Sequence, residues 1–333
     1  FFEVQGAAVE RGRMLANRML ELAQRIGDGE VEIVLDGSLF RAIRGIDSKL
    51  QLVSNQKALA SLSKFIGCRE LSNPVIKAIA QAAANTDGQA AAARSEAVCH
   101  SISSVPGLLA AVVSRMKEDV DAVRLVNNLA ANSDRGANLF VQVEGSMETL
   151  KECCSKFKLH AFGVINHLSR SETAASALLS AGFVEDVLLP TLTQAPEATS
   201  SVELEATMAR GTLALANLTG PNRACTMLDN EVVLATIVKV LDHAARGVRL
   251  ATITWLPPAV LFGLRNMTGN AKICIALVHT GLLTILARLL NTWCDESTSQ
   301  TLQLSLEVLA NISAHDAAIQ PLWDAGVVSG LRS

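Results

Sequence analysis

Histidine, cysteine and asparagine are the side chains in this 333-residue sequence whose chemistry and spacing invite a functional reading. The six histidines, His100, His160, His167, His243, His279 and His315, have no carboxylates at metal-ligand spacing. His160 and His167 can approach one helix face, but no third ligand accompanies them, so no metal is expected. The seven cysteines, Cys68, Cys99, Cys153, Cys154, Cys225, Cys274 and Cys294, contain no Cys-x-x-Cys pair, which removes the usual zinc and redox motifs. Cys153 and Cys154 lie beside Lys151, Lys156 and Lys158. Such neighbours can lower a thiol pKa and make a reactive pair; the alternative is two small core residues in an apolar helix. Neither a phosphate-cradling glycine loop nor a Gly-x-Ser-x-Gly elbow is present. The expectation is no cofactor and no catalytic residue.

What remains is carboxamide chemistry in a fixed register. Leu-Val-Asn-Asn-Leu-Ala ends at Ala130, Val-Ile-Asn-His-Leu-Ser at Ser169, Leu-Ala-Asn-Leu-Thr at Thr219, Leu-Arg-Asn-Met-Thr at Thr268 and Leu-Ala-Asn-Ile-Ser at Ser313. Aligned, they place Asn128, His167, Asn217, Asn266 and Asn311 at one position, spaced by 39, 50, 49 and 45 residues as the differences between those numbers. A period in this range signals stacked supersecondary units. The sequons at Asn217, Asn266 and Asn311 fall in this register and read as by-products of the repeat rather than as glycosylation sites.

The elements that carry these residues read as helical triplets. Val232 to Ala245 has apolar residues at helical spacing, preceded by a short helix from Asn222 to Asn230. Ala271 to Thr280, Leu282 to Leu290 and Thr301 to Ser313 repeat the plan, as do Glu172 to Ala181, Gly182 to Leu189 and Val202 to Thr219. Pro190 is expected to end a second helix. Gly269 is expected to close a third helix in the left-handed conformation. A final unit starts at Ala314. The N-terminal half is looser, with Ser61 and Ser101 at the aligned position. Only 27 residues separate Ser101 from Asn128, so that unit is expected to lack its first helix. Two longer connections, Gln194–Ser201 and Arg246–Pro258, interrupt the pattern; Pro257 and Pro258 fit a first helical turn. The expected organisation is a cap or partial repeat over 1–29, degenerate repeats over 30–144 and clearer ones over 145–333, the last truncated.

Composition agrees with this plan. Half the residues are apolar and mean hydropathy is +0.31, yet no run of about 18 apolar residues escapes a charged or strongly polar group, so no membrane span is expected. Aromatics make up 4% with no Tyr, and net charge is −3, which disfavours a nucleic-acid partner. Unpaired cysteines point to reduced thiols and a cytoplasmic location, with cytoskeletal or ciliary association open. The sequence begins at Phe1 without Met and stops within what reads as an unfinished helix, so both ends read as fragment boundaries.

The segment Ala181-Gly182 followed by Phe183–Leu189 and a helix ending Leu215-Ala216-Asn217-Leu218-Thr219 resembles the armadillo repeat. Gly281–Leu290 with Leu309-Ala310-Asn311-Ile312-Ser313 shows the same likeness, which is strongest over 145–333. The resemblance implies an all-α, right-handed α-solenoid whose third helices line a concave groove, with Asn128, Asn217, Asn266 and Asn311 bonding the backbone of an extended partner. An amide side chain supplies both donor and acceptor for that task. The other reading, a local backbone bond that ends the repeat, stands beside it.

The position four residues before the Asn holds Arg124, Gly163, Leu213, Phe262 and Glu307, without the Trp that marks members carrying nuclear import signals. One turn earlier come His160 and Arg210. Arg124, His160, His167 and Arg210 would make a mildly basic groove favouring an acidic or amphipathic segment, with an apolar anchor at Leu213 and Phe262. The expected function is a non-enzymatic scaffold or adaptor for a protein partner. A structural subunit of a large cytoskeletal, ciliary or other multiprotein assembly, touching neighbours through its convex face and loops, is the alternative.

Overall fold

The computed structural model describes residues 99–193, 201–219, 230–291 and 299–327, together with Ile66, Ile76, Lys77, Ile79, Ala80 and Ala83. The expected N-terminal cap, Ser61 and the helix from Asn222 fall largely outside these residues. The described elements are all helical, and a single bridge, Leu250 to Ile253, is the only sheet-like pairing among them. No described helix is long and apolar enough to cross a membrane by itself. The chain divides into two compact units, Phe1–Ala177 and Leu178–Ser333.

The first unit contains α1 (Leu108–Met116), α2 (Val120–Asn132), α3 (Asp134–Val141), α4 (Ser146–Lys156), α5 (Lys158–Leu168) and the start of α6 (Glu172–Ser180). In α1 the buried residues Leu108, Leu109, Val112, Val113 and Met116 recur every three or four positions, so one stripe faces the core. Asp119 caps α2 by accepting from the Asp121 N–H, and Ser133 caps α3 by accepting from the Gly136 N–H. Helix α2 packs on α1, α3 and α5, and α4 packs on α1 and α5. Phe140 and Phe162 are fully enclosed.

The second unit contains a π-helical turn (Val184–Leu188) running into α7 (Leu189–Thr193), then α8 (Val202–Leu218), α9 (Glu231–Ala245), α10 (Pro257–Thr268), α11 (Ala271–His279), α12 (Leu282–Asn291), α13 (Ser299–Ser313) and α14 (Asp316–Asp324). The third helices of successive triplets stack directly, α8 on α10 and α10 on α13. Gly263 makes the first approach possible, since a Cβ there would lie 2.9 Å from Ala216 Cβ.

Three local expectations are corrected. Helical structure continues through Pro190: the wide π turn before it relieves the clash that its ring would make with an α-helical carbonyl four residues back. Gly269 keeps right-handed angles (φ −65°, ψ −16°). Left-handed glycines instead precede second helices at Gly107 before α1, Gly145 before α4 and Gly281 before α12. Third, residues 99–103 are helical and lead through left-handed Gly107 into α1, so they occupy the first-helix place of their triplet. Ser101 is therefore no rung of the Asn register. Pro257 and Pro258 do occupy the first turn of α10.

Candidate functional site

Asn128, Asn266 and Asn311 of the register each bond a carbonyl about one repeat back. Asn311 Nδ2 donates to the Arg265 carbonyl at 2.9 Å and lies 3.3 Å from Thr268 Oγ1. Asn266 Nδ2 donates to the Asn217 carbonyl at 3.4 Å. In the first unit, Asn128 Nδ2 donates to the Ala80 carbonyl at 2.9 Å. The bonds reach back 46, 49 and 48 residues, about one repeat each, and Asn128 reaches the Ala80 carbonyl, well before Ser101. The helix-ending bond expected as an alternative is thus replaced by a bond between repeats. An amide nitrogen carries two hydrogens and its oxygen two lone pairs. Among the described residues no donor reaches Oδ1 of half-buried Asn266 or Asn311. Each amide can hold the stack and still meet a second polar group.

The position four residues before the register residue takes three environments. Arg124 on α2 is exposed and pairs with Asp121 of its own helix at 3.0 Å. Leu213 on α8 is fully buried, so its expected role as an apolar anchor is corrected: it is core, enclosed within the C-terminal half of a helix whose residues from Gly211 onward are all buried. Asn217 is buried on the same helix. Phe262 on α10 and Glu307 on α13 are half-buried, and Arg265 joins them: its guanidinium sits 4.6 Å from the Phe262 ring centre and pairs with Glu307 Oε2 at 3.1 Å. Gln303 Nε2 holds the other Glu307 oxygen at 3.0 Å. The Gln303 and Arg265 hydrogen bonds keep the Glu307 carboxyl below its ordinary range. Phe262, Arg265, Glu307, Gln303 and Asn311 therefore form one connected surface on the α10–α13 layer. Sequence reasoning missed Arg265, which precedes a register Asn; its interest comes from a partner 42 residues away.

The residues expected to make a basic surface, Arg124, His160, His167 and Arg210, fall in both units. Arg124, His160 and His167 belong to the first unit, on α2 and α5, which pack together; both histidines are half-buried. Arg210 belongs to the second unit, on α8, where burial pushes its guanidinium down to about 10. Arg124 is also partly neutralised by Asp121.

Cys153 and Cys154 are buried, their thiols pushed up to about 11 and about 12, burial being the main cause and the nearby lysines too weak to reverse it. The reactive-thiol alternative fails, and both behave as core residues. Among the described residues no group of His, Cys, Asp and Glu is placed to hold a metal. A glycan on Asn266 or Asn311 would occupy the nitrogen that ties the stack.

No family model and no curated protein sequence matches the chain. Among solved structures, a beta-catenin structure from a study of its phosphorylation-controlled interaction with cadherin is similar at TM-score 0.50 and 12% identity, over 96% of this chain and 62% of that one. The chain thus spans under two thirds of that neighbour's length. A structure of the S. pombe Puf1 PUM-HD domain in complex with RNA aligns over 97% of this chain and 96% of that one at 14% identity, with a TM-score of only 0.22. The protein is of the all-α, helical-solenoid class.

Proposed function

We propose that this protein is a non-enzymatic, armadillo-like scaffold that holds an extended segment of a protein partner along its third helices. The observation that carries the reading is the Phe262–Arg265–Glu307–Asn311 surface, where an aromatic ring, a guanidinium and an amide are fixed side by side across two repeats. Such a surface suits an amphipathic segment: Phe262 meets an apolar side chain, Arg265 a carboxylate and the Asn amides the peptide backbone. The beta-catenin likeness supports a binding role for the fold, and the partner's identity rests on chemistry alone.

The test is titration calorimetry with a synthetic peptide in which Glu alternates with Leu. Wild-type chain binds it, R265Q weakens binding about tenfold, corresponding to about 1.4 kcal/mol, and a peptide with Lys in place of Glu binds far less. Equal binding of both peptides, or full affinity in R265Q with its fold intact by circular dichroism, overturns the reading.

A second reading, a subunit that contacts neighbours through a loop, draws on residues 246–256. Ala251 and Thr252 are both left-handed there (φ 49° and 69°), rare for residues with a Cβ and rarer for β-branched Thr, while Trp255 is buried and Val248 and Leu256 are exposed.

A further inference from the structure

Ala251 and Thr252 form the two-residue loop of a hairpin between α9 and α10, in which the Leu250 and Ile253 N–H groups each donate to the other's carbonyl at 3.0 Å. Both loop residues have positive φ, the geometry of a type I′ turn, for which Asn-Gly is the favoured pair. Ala and Thr each carry a Cβ that crowds the following carbonyl there. The turn is therefore held by its surroundings. Leu250 and Trp255 are buried, the Val248 N–H donates to the His243 carbonyl at 3.0 Å, and His243 Nδ1 lies 3.2 Å from the Arg249 carbonyl oxygen. Backbone strain fixed in this way collects at sites that bind something.

What the held loop presents is two aliphatic side chains among cations. Val248 is 49% and Leu256 66% exposed, the latter the highest value for a large apolar side chain among the described residues. Arg246 and Arg249 are exposed beside them. Arg246 and Arg288 of α12 share the Asp242 carboxylate, one on each oxygen, so positive charge is left in excess. From His243 to Cys294 the sequence carries Arg246, Arg249, Arg265, Lys272 and Arg288 and no Asp or Glu. Val248 and Leu256 lie on opposite limbs of the hairpin, so they make no helix-spaced stripe, and a single bridge offers no strand edge to an incoming peptide. Aliphatic side chains beside guanidinia suit a surface that is anionic outside and hydrocarbon just beneath.

We propose that the 246–256 loop docks the protein on an anionic lipid bilayer. Val248 and Leu256 enter the headgroup boundary, while Arg246, Arg249 and Arg288 meet lipid phosphates. The contact is with one face of a membrane and involves no span. It gives this loop a lipid partner rather than a neighbouring subunit, and it does not depend on the peptide-holding surface around Arg265.

The probe is co-sedimentation with vesicles of mixed phosphatidylserine and phosphatidylcholine, with pure phosphatidylcholine vesicles as control. Wild-type chain sediments with the mixed vesicles and little with the control. Partition falls at least about tenfold in R246Q/R249Q and at least about fivefold in V248S/L256S. High salt weakens the wild type more than R246Q/R249Q. L256W binds as the wild type does, and its added emission is quenched by lipids brominated in the upper acyl chain. These positions are exposed, so the variants keep the wild-type melting curve, which is checked by circular dichroism. Undiminished binding of either double variant, equal binding to pure phosphatidylcholine, or unquenched L256W overturns the proposal. Loss of the alternating Glu and Leu peptide in R246Q/R249Q also overturns it, since the loop would then hold an acidic protein segment. R265Q leaves vesicle binding unaltered, which separates this proposal from the peptide reading.

Discussion

The α2 helix of the first unit and the α10–α13 layer of the second use the same tie and finish it differently. Asn128 and Asn311 each bond a carbonyl one repeat back, both at 2.9 Å. Four residues before them, α2 presents Arg124, exposed and paired within its own helix, whereas α13 presents Glu307, pinned by Arg265 of the neighbouring repeat. The lesson is a division of labour. The Asn is scaffold and recurs, while the position one turn earlier is free to become a solvated charge, a recognition surface or, at Leu213, plain core.

Substitutions at that variable position should separate the three outcomes. Leu213→Ala is expected to cost about 2–5 kcal/mol, because it empties a site that is fully enclosed; a urea denaturation curve matching wild type would return Leu213 to the surface. Close approaches come next. Gly136→Ala drives a Cβ to 2.9 Å from the Leu129 carbonyl oxygen in the first unit, and Gly263→Ala to 2.9 Å from Ala216 Cβ in the second. Each should cost about 1–3 kcal/mol by thermal denaturation. Asn128→Ala and Asn311→Ala should cost about 1 kcal/mol apiece, the net worth of one hydrogen bond; a neutral Asn311→Ala would break the equivalence of the two ties.

Acidity sharpens the contrast with a smaller effect. Burial pushes the Asp119 carboxyl of the first unit up, against the pull of the Asp121 N–H. In the second unit burial also pushes Asp242 up, but the Arg288 hydrogen bond and the charges of Arg246 and Arg288 outweigh it and hold it low, and Glu307 is held low as well. Depressed carboxylates contribute stability that is present above their unfolded values, about 4, and lost as pH falls through the lower folded values. Asp119 has the opposite sign and favours the acid side. Glu307→Gln should therefore flatten the acid limb of the stability–pH curve, and Asp119→Asn should steepen it. Smallest of all, Arg124→Gln should stay within about 0.5 kcal/mol of wild type, as an exposed pair contributes little.

The helical triplets were legible because their apolar stripes recur at helical spacing: Val232 to Ala245 differs by one residue from the observed Glu231–Ala245. The repeat was legible at Asn128, Asn266 and Asn311, whose amides make the same kind of bond to an earlier carbonyl. The N-terminal rung was not, because Ser101 resembles a register residue in sequence while Asn128 reaches past it to Ala80, a contact that no local motif encodes. Leu213 was misread because position along a helix fixes a face, and burial of that face depends on what packs there. Arg265 escaped notice because its importance lies in the distance to Phe262 and Glu307, set by the stacking of two repeats.

Hydrogen exchange with and without the alternating Glu and Leu peptide tests the central claim most directly. Binding along the third helices predicts new protection in α10 and α13, centred on the turns carrying Phe262, Arg265 and Asn311, with the first helices α11 and α14 unchanged. Protection confined to α11, α14 or the 246–256 loop, with α10 and α13 unaltered at saturating peptide, would contradict it.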